Sequence, residues 1–383
     1  MSSGVNTFCQ NRDSREIGSY FSINPDDIQR CKKYVATAFE EEGDLVFFST
    51  CRSAIKQILS SLKCGSKRAL LPAFTCHAVV EPFVNSGYAV FPYPVQNNLL
   101  VNVKQFKEMV REVKPSVILI HDYFGFDTNY QLRDSGTIAE CREKGVTVIV
   151  DMTQSMFSQY PRMDADYYVG SIRKWMGIPD GAFAKGLTCE ALLDEDEELV
   201  EAKTRAMIYK HNYLYREQGE KANIHSLYRN AERILDSREK SYTISTLSKG
   251  LLSFYDIQFY KMKRRENCEA LLKELKEIGF IRLPFKEIER SETPFYVPIM
   301  VQNKRRELQR FLADNGVFAT IIWRCPDEFI EKIDDESKRV YNEILCIPCD
   351  QRYSRRDMKY IGELMTYFEE VLSPAVLCQV ENK

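Results

Sequence analysis

Val146-Thr147-Val148-Ile149-Val150-Asp151 is a run of apolar and β-branched residues closed by a carboxylate, and its reading decides the fold. Comparable runs stand at Leu45–Ser49, Ala69–Ala73, Tyr88–Pro92, Val117–Tyr123, Tyr167–Ser171 and Gly181–Ala184. Most are continuously apolar rather than alternating, the pattern of strands buried on both faces of a mostly parallel sheet. Between them lie helix-like stretches at Ser53–Leu62, Val79–Ser86, Val103–Val113 and Gly136–Lys144. The alternation predicts a large α/β domain with a seven-stranded, mostly parallel sheet flanked by helices. From about Glu190 to Asn267 the chain turns helical and polar. Strand-like runs then return at Phe280–Leu283, Tyr296–Val301, Val317–Ile322 and Ile344–Pro348, with helices at Lys304–Asn315 and Arg355–Leu372. These predict a smaller C-terminal α+β domain. The expected division is a segment over 1–40, the large domain over 41–250 and the small one over 251–383.

Composition narrows the function classes. The 383 residues carry 53 basic and 55 acidic side chains, a net charge of −2 that supplies no field for nucleic acid or an anionic membrane. No run approaches the ~20 apolar residues of a membrane span, and Met1–Arg15 lacks the apolar core of a signal peptide. Twelve cysteines are scattered through the chain, several in strand-like runs, which fits reduced thiols in a cytoplasmic protein better than a disulfide framework. Cys346 and Cys349 form a lone C-x-x-C without a second pair or a histidine cluster, so no metal site is expected.

In an open α/β sheet, ligands bind outside the carboxyl ends of the strands. Those ends read Ser49-Thr50-Cys51-Arg52-Ser53, Pro72-Ala73-Phe74-Thr75-Cys76-His77, His121-Asp122-Tyr123-Phe124-Gly125, Asp151-Met152-Thr153-Gln154 and Ser171-Ile172-Arg173-Lys174. All five are rich in polar or reactive groups. Asp151 ends a run apolar enough to be central, where a carboxylate is costly unless a cation or donor meets it; capping the next helix is the plainer alternative. Lys174 sits in Gly170-Ser171-Ile172-Arg173-Lys174-Trp175-Met176-Gly177-Ile178-Pro179-Asp180-Gly181, a Gly/Pro/Trp loop able to hold an amine partly desolvated. Desolvation lowers an amine's pKa, as Schiff-base chemistry requires. Thr50-Cys51-Arg52-Ser53 places hydroxyls at a helix start, where free N–H groups and the helix dipole bind phosphate. Ser53 as an ordinary N-cap would explain the same residues, and Arg52 either adds charge or faces elsewhere.

Taken in order, these motifs resemble the fold-type-I enzymes of pyridoxal 5'-phosphate (PLP), closest to the DegT/DnrJ/EryC1/StrS branch of the aminotransferases. Thr50-Cys51-Arg52-Ser53-Ala54-Ile55 resembles the phosphate turn, Asp151-x-x-Gln154 the conserved strand end, and Ser171-x-x-Lys174 with Pro179-Asp180-Gly181 the lysine loop. The resemblance is clear over about residues 40–190 and loose in the C-terminal third. It implies that Lys174 carries the cofactor covalently and later shuttles a proton, and that Asp151 pairs with the pyridine nitrogen. It further implies that Gln154 meets the phenolic oxygen, and that Thr50, the Cys51 backbone and Ser171 hold the phosphate, with Arg52 beside them. Cys51 stands where glycine is usual, and Ser171 lies three residues before the lysine where the branch generally has five. The residue that covers the cofactor ring aligns near Cys76, with His77 and Phe74 as neighbours.

The function implied is transfer of an amino group from an amino acid such as glutamate to a small-molecule keto acceptor, a keto sugar or nucleotide-linked sugar among them. A lyase or dehydratase on the same cofactor, or a non-catalytic PLP-binding homologue, remains open at this stage. Arg324, beside Trp323, is a candidate for binding a substrate carboxylate. A homodimer is expected, since the resemblance implies sites at a subunit interface. The segment 203–230, with Tyr209, Tyr213, Tyr215 and Tyr228 among basic residues, has an interface-like composition.

Overall fold

All seven apolar runs become strands of one sheet in the computed structural model of the chain, which describes residues 16–26, 28, 45–63, 65–188 and 193–372. A short strand β1 (Ile17–Gly18) precedes them. The large sheet begins with β2 (Leu45–Phe48), followed by α1 (Cys51–Ser61), β3 (Arg68–Pro72), α2 (His77–Asn85), β4 (Ala89–Tyr93) and α3 (Val103–Val113). It continues through β5 (Val117–His121), α4 (Tyr130–Asp134), α5 (Thr137–Glu143), β6 (Thr147–Asp151), β7 (Tyr167–Gly170) and β8 (Ala182–Lys185). The strand order is β2-β8-β7-β6-β5-β3-β4. Only β8 runs against its neighbours; the other pairings are parallel. Every residue of β5 is buried, as its unbroken apolar run requires.

Register is what positions the site. β5 and β6 pair so that His121 lies opposite Asp151, and β6 and β7 pair Asp151 with Val169. The carboxyl ends of the central strands therefore finish level. Helix α1 starts where Thr50, in extended backbone, turns its hydroxyl to accept from the Ser53 N–H, a side-chain N-cap. Its Ala54, Ile55, Ile58 and Leu59 form the stripe that packs into the core.

The polar stretch that follows forms α6 (Glu197–Arg216) and α7 (Lys221–Asp236), packed side by side, then α8 (Thr246–Leu252) and α9 (Ile257–Leu275). After them come β9 (Ile281–Arg282), β10 (Val297–Val301), α10 (Arg305–Asp314), β11 (Val317–Phe318), α11 (Asp335–Glu343), β12 (Ile344–Ile347) and α12 (Arg355–Tyr367). β12, β10 and β9 make a small antiparallel sheet, with α9 and α12 packed together beside it. β1 pairs in parallel with β11. The strand expected over Val317–Ile322 stops early: beyond Phe318 only Thr320 bridges to Cys346. Ile321, Ile322 and Trp323 leave the ladder, and the Trp323 ring instead packs on Phe74 at 4.8 Å between centroids. Apolar burial of the indole outweighs the β preference of the preceding residues.

Candidate cofactor and active site

Asp151 is 2 % exposed at the end of the central strand. Its Oδ1 accepts from the Thr153 N–H at 2.8 Å, and its Oδ2 lies 3.3 Å from Nδ1 of His121. That second approach is close but poorly directed, since neither His121 nitrogen completes a hydrogen bond, and we read it as an electrostatic contact. Burial by itself pushes the Asp151 carboxyl up; the His121 imidazole and the Thr153 donors outweigh burial and hold it below the usual carboxylate range. The site thus keeps a carboxylate at the floor of the sheet.

Three residues on, Gln154 is 1 % exposed and accepts from the Phe124 N–H at 2.9 Å through Oε1. Phe124 holds a φ of 55°, which turns its amide toward the glutamine. With Oε1 fixed, the Nε2 donor borders the central cavity and has no partner among the described residues. Thr153 ties the ends of β6 and β7 together. Its hydroxyl accepts from the Ser171 N–H at 3.1 Å, and its carbonyl accepts from the Trp175 indole at 2.7 Å.

Lys174 closes a single 3-10 turn, Ile172–Lys174, directly after β7. A buried apolar cluster that includes Ile172, Trp175, Met176 and Ile178 supports this turn. The Lys174 amine lines a cavity of about 290 Å³ and makes no hydrogen bond or ion pair among the described residues. Gly181, at φ 140°, passes its carbonyl to the Arg173 N–H at 3.2 Å and so pins the loop.

At the start of α1, the Cys51 and Arg52 amides find no acceptor among the described residues, while Thr50 and Ser53 share a 3.0 Å hydroxyl contact. The Arg52 guanidinium turns away, with Nε 3.0 Å from Glu81 and Nη2 3.3 Å from Asp236. Burial pushes the Cys51 thiol well up, with Asp151 adding to the rise and Lys174 opposing it. Burial likewise raises Cys76, opposed by Lys174 and reinforced by Asp151. Both thiols therefore feel the charges of the amine and the carboxylate. Of the neighbours of Cys76, Phe74 is buried among Tyr123, Trp323 and Tyr341. The His77 side chain is 60 % exposed and faces Glu328. Arg324 is a surface residue, its side chain 86 % exposed and paired with Asp327.

Several wall residues went unassigned in the sequence. His121 stands in a strand end of interest, but only register puts it beside Asp151. Ser19, Tyr20 and Phe21 line the cavity opposite the sheet, held by Lys210, Tyr228 and Arg352. Lys203, Glu232 and Trp323 complete that outer wall. No local signal marks these residues.

Neither a family model nor a curated protein sequence matches the chain. Solved structures do. The aminotransferase TlmJ from Streptoalloteichus hindustanus superposes with a TM-score of 0.64 at 16% identity, covering 92% of this chain and 93% of that one. PseC of Helicobacter pylori, an aminotransferase of pseudoaminic acid biosynthesis, gives a TM-score of 0.67 at 13% identity over 92% of this chain and 99% of its own. A DegT DnrJ EryC1 StrS aminotransferase from Brucella abortus gives 0.61 at 16% identity, over 91% and 92%. The chain has the fold of these aminotransferases. On that fold, Lys174, Asp151 and Gln154 stand at the carboxyl ends of adjacent central strands; Lys174 and Gln154 line the cavity, and Asp151 is buried at its strand end behind the lining.

Proposed function

We propose that this protein is a PLP-dependent aminotransferase, moving an amino group from an amino acid such as glutamate to a keto compound of the keto-sugar class. One observation carries the reading. An unpartnered lysine amine and an amide side chain line a single cavity, with a buried carboxylate kept ionised at the adjacent strand end, on an aminotransferase fold. The residues fit the cofactor. The Cys51 and Arg52 amides with the Thr50 and Ser53 hydroxyls would hold its phosphate, Ser171 lying close by; Arg52's charge is already spent on Glu81 and Asp236. Asp151 would pair with the ring nitrogen, Gln154 Nε2 would donate to the phenolic oxygen, and Cys76 would lie against the ring.

Bound there, PLP would supply an electron sink conjugated to the substrate's amino nitrogen. Asp151, ionised and braced by His121 and Thr153, would keep a proton on the ring nitrogen. Lys174 would anchor the cofactor through Nζ and then move a proton between substrate carbon and cofactor carbon. Trp323 and the Ser19–Phe21 strap would exclude water from the reacting atoms. Borohydride reduction and peptide mapping should place a pyridoxyl adduct on the peptide that holds Ser171–Lys174, and added glutamate should convert the visible absorbance to that of the pyridoxamine form. An adduct on a different lysine, or a protein that stays colourless with PLP, overturns the reading.

The same reading includes a cytoplasmic homodimer. No helix among the described residues is long and apolar enough to cross a membrane, and the seven described cysteines are free. Within 203–230, Tyr228 is buried against the strap and Tyr209 accepts from the Glu220 amide, whereas Tyr215 is 68 % exposed. Two-fold assembly is the commonest symmetry of soluble enzymes. Light scattering of active protein at micromolar concentration should give twice the mass of one chain; a fully active monomer would exclude a shared site.

A further inference from the structure

Arg173 is an arginine without a bonded partner: Glu232 feels its charge but pairs with Lys203. It precedes Lys174 in the same turn, and its side chain borders the same cavity. Its Nε is buried without a hydrogen bond, and neither terminal nitrogen makes one or forms an ion pair among the described residues. Buried Arg264 shows what the fold normally provides: its guanidinium donates to Gln351 and to the carbonyls of Pro294 and Phe295, and it stacks over Trp175 at 4.4 Å. Arg173 has no such set.

The carboxylate nearest by charge is already taken. Glu232 pairs with Lys203, which is itself buried. Three cations (Arg173, Lys174 and Lys203) thus border the cavity with one carboxylate between them. Lys203 is held below its usual range, chiefly by burial and next by the Arg173 charge, so the surplus is felt inside the protein. A guanidinium presents donors in a planar fork that matches carboxylate or phosphate. Leaving them unmet in a partly desolvated pocket is costly unless a ligand supplies the acceptor.

We infer that Arg173 is a specificity-determining residue, whose guanidinium binds an oxyanion of the substrate, a carboxylate or a phosphate, presented beside Lys174. This rests on the proposed aminotransferase reading for the identity of the ligand as substrate. On the proposed reading the cofactor phosphate would take the free amides of α1, whose residues do not border this cavity. The oxyanion at Arg173 would therefore be a second one.

The test uses the PLP-loaded protein and Arg173→Gln and Arg173→Lys variants. Succinate and inorganic pyrophosphate serve as probes in isothermal titration calorimetry, distinguishing a carboxylate from a phosphate source. Wild type should bind one probe class, Arg173→Gln should bind it about tenfold or more weakly, and Arg173→Lys should fall between, keeping charge without the fork. PLP retention on dialysis, read by absorbance, should match wild type in both variants. Equal probe affinity in wild type and Arg173→Gln, or no binding of either probe to wild type, overturns the inference. A variant that releases PLP while probe binding is unchanged also overturns it and assigns Arg173 to the cofactor phosphate. Probe binding that depends on Arg173 in a protein with no adduct on Lys174 would instead defeat the aminotransferase reading alone.

Discussion

The two walls of the central cavity are built on different plans. The sheet wall is Gln154 with the strand ends behind it, where Asp151, Thr153 and Ser171 bond to one another or to the next strand end, and few polar atoms are left over. The outer wall gathers Ser19–Phe21, Lys203, Glu232 and Trp323 from far apart in the chain, its one lysine paired with its one glutamate; with Arg173 and Lys174 of the turn after β7, the cavity as a whole carries cations in excess of carboxylates. Neighbours one strand apart fix protonation and direction on the first wall. Between the walls, the surplus charge of Arg173 and Lys174 is left for whatever enters. The strand ends are suited to setting chemistry and that surplus charge to choosing its subject.

Three measurements break or sharpen that contrast. The largest effect belongs to the sheet wall. Asp151→Asn should lower turnover about 10²-fold or more, because a neutral side chain no longer holds a proton on the ring nitrogen. Its melting temperature should change little, since burial favours the neutral group; retained activity would remove the sheet wall from the chemistry. Next comes the frame of the outer wall. Lys210 donates to Ser19 Oγ at 3.1 Å and to the Tyr20 carbonyl at 2.7 Å, and lies 3.3 Å from Glu16. Burial, reinforced by Arg352 and opposed by Glu16 and Asp350, lowers its pKa to about 8. The folded state therefore holds this proton less tightly than the unfolded chain, and between pH 8 and the ordinary value of 10.5 the Lys210 contribution grows more favourable as pH rises. Against Lys210→Met, wild-type stability should gain up to ~1.4 kcal/mol per pH unit from pH 8 to 10 in urea titrations. A difference that stays flat with pH would show the ammonium to be solvated. The smallest effect is at His77. Outside both walls, His77→Ala should alter kcat/KM by less than about twofold; a tenfold loss would bring the residue back to the cofactor.

The same contrast explains what the sequence made legible. The sheet, its helices and the strand-end motifs follow from local apolar runs and from turns whose residues sit within a few positions of each other. Asp151 and Lys174 could be singled out because each closes or follows such a run, and Gln154 because Asp151-x-x-Gln154 resembles the family's strand end. His121 needed the register of β5 against β6, which no local pattern encodes. Whether Arg52 served a phosphate or faced elsewhere turned on Glu81 and Asp236, one 29 and the other 184 positions away. Ile321 and Ile322 read as the end of a strand; only the packing of the next residue, Trp323, on Phe74 and His121 draws the segment out of the ladder.

The strap that edges the cavity is stitched across the length of the chain: β1 pairs with β11, and the Gly18 N–H donates to the Tyr353 hydroxyl across 335 positions. During synthesis at about 5–20 residues per second, Gly18 waits roughly 20–70 s for that tyrosine to be made. In the interval the large sheet can bury its own core, since its strands are contiguous from β2 to β8. The lysine turn is then in place while the pocket beside it still lacks an edge. The nascent chain is a cup before it is a chamber, and any cofactor that settles early does so in open water.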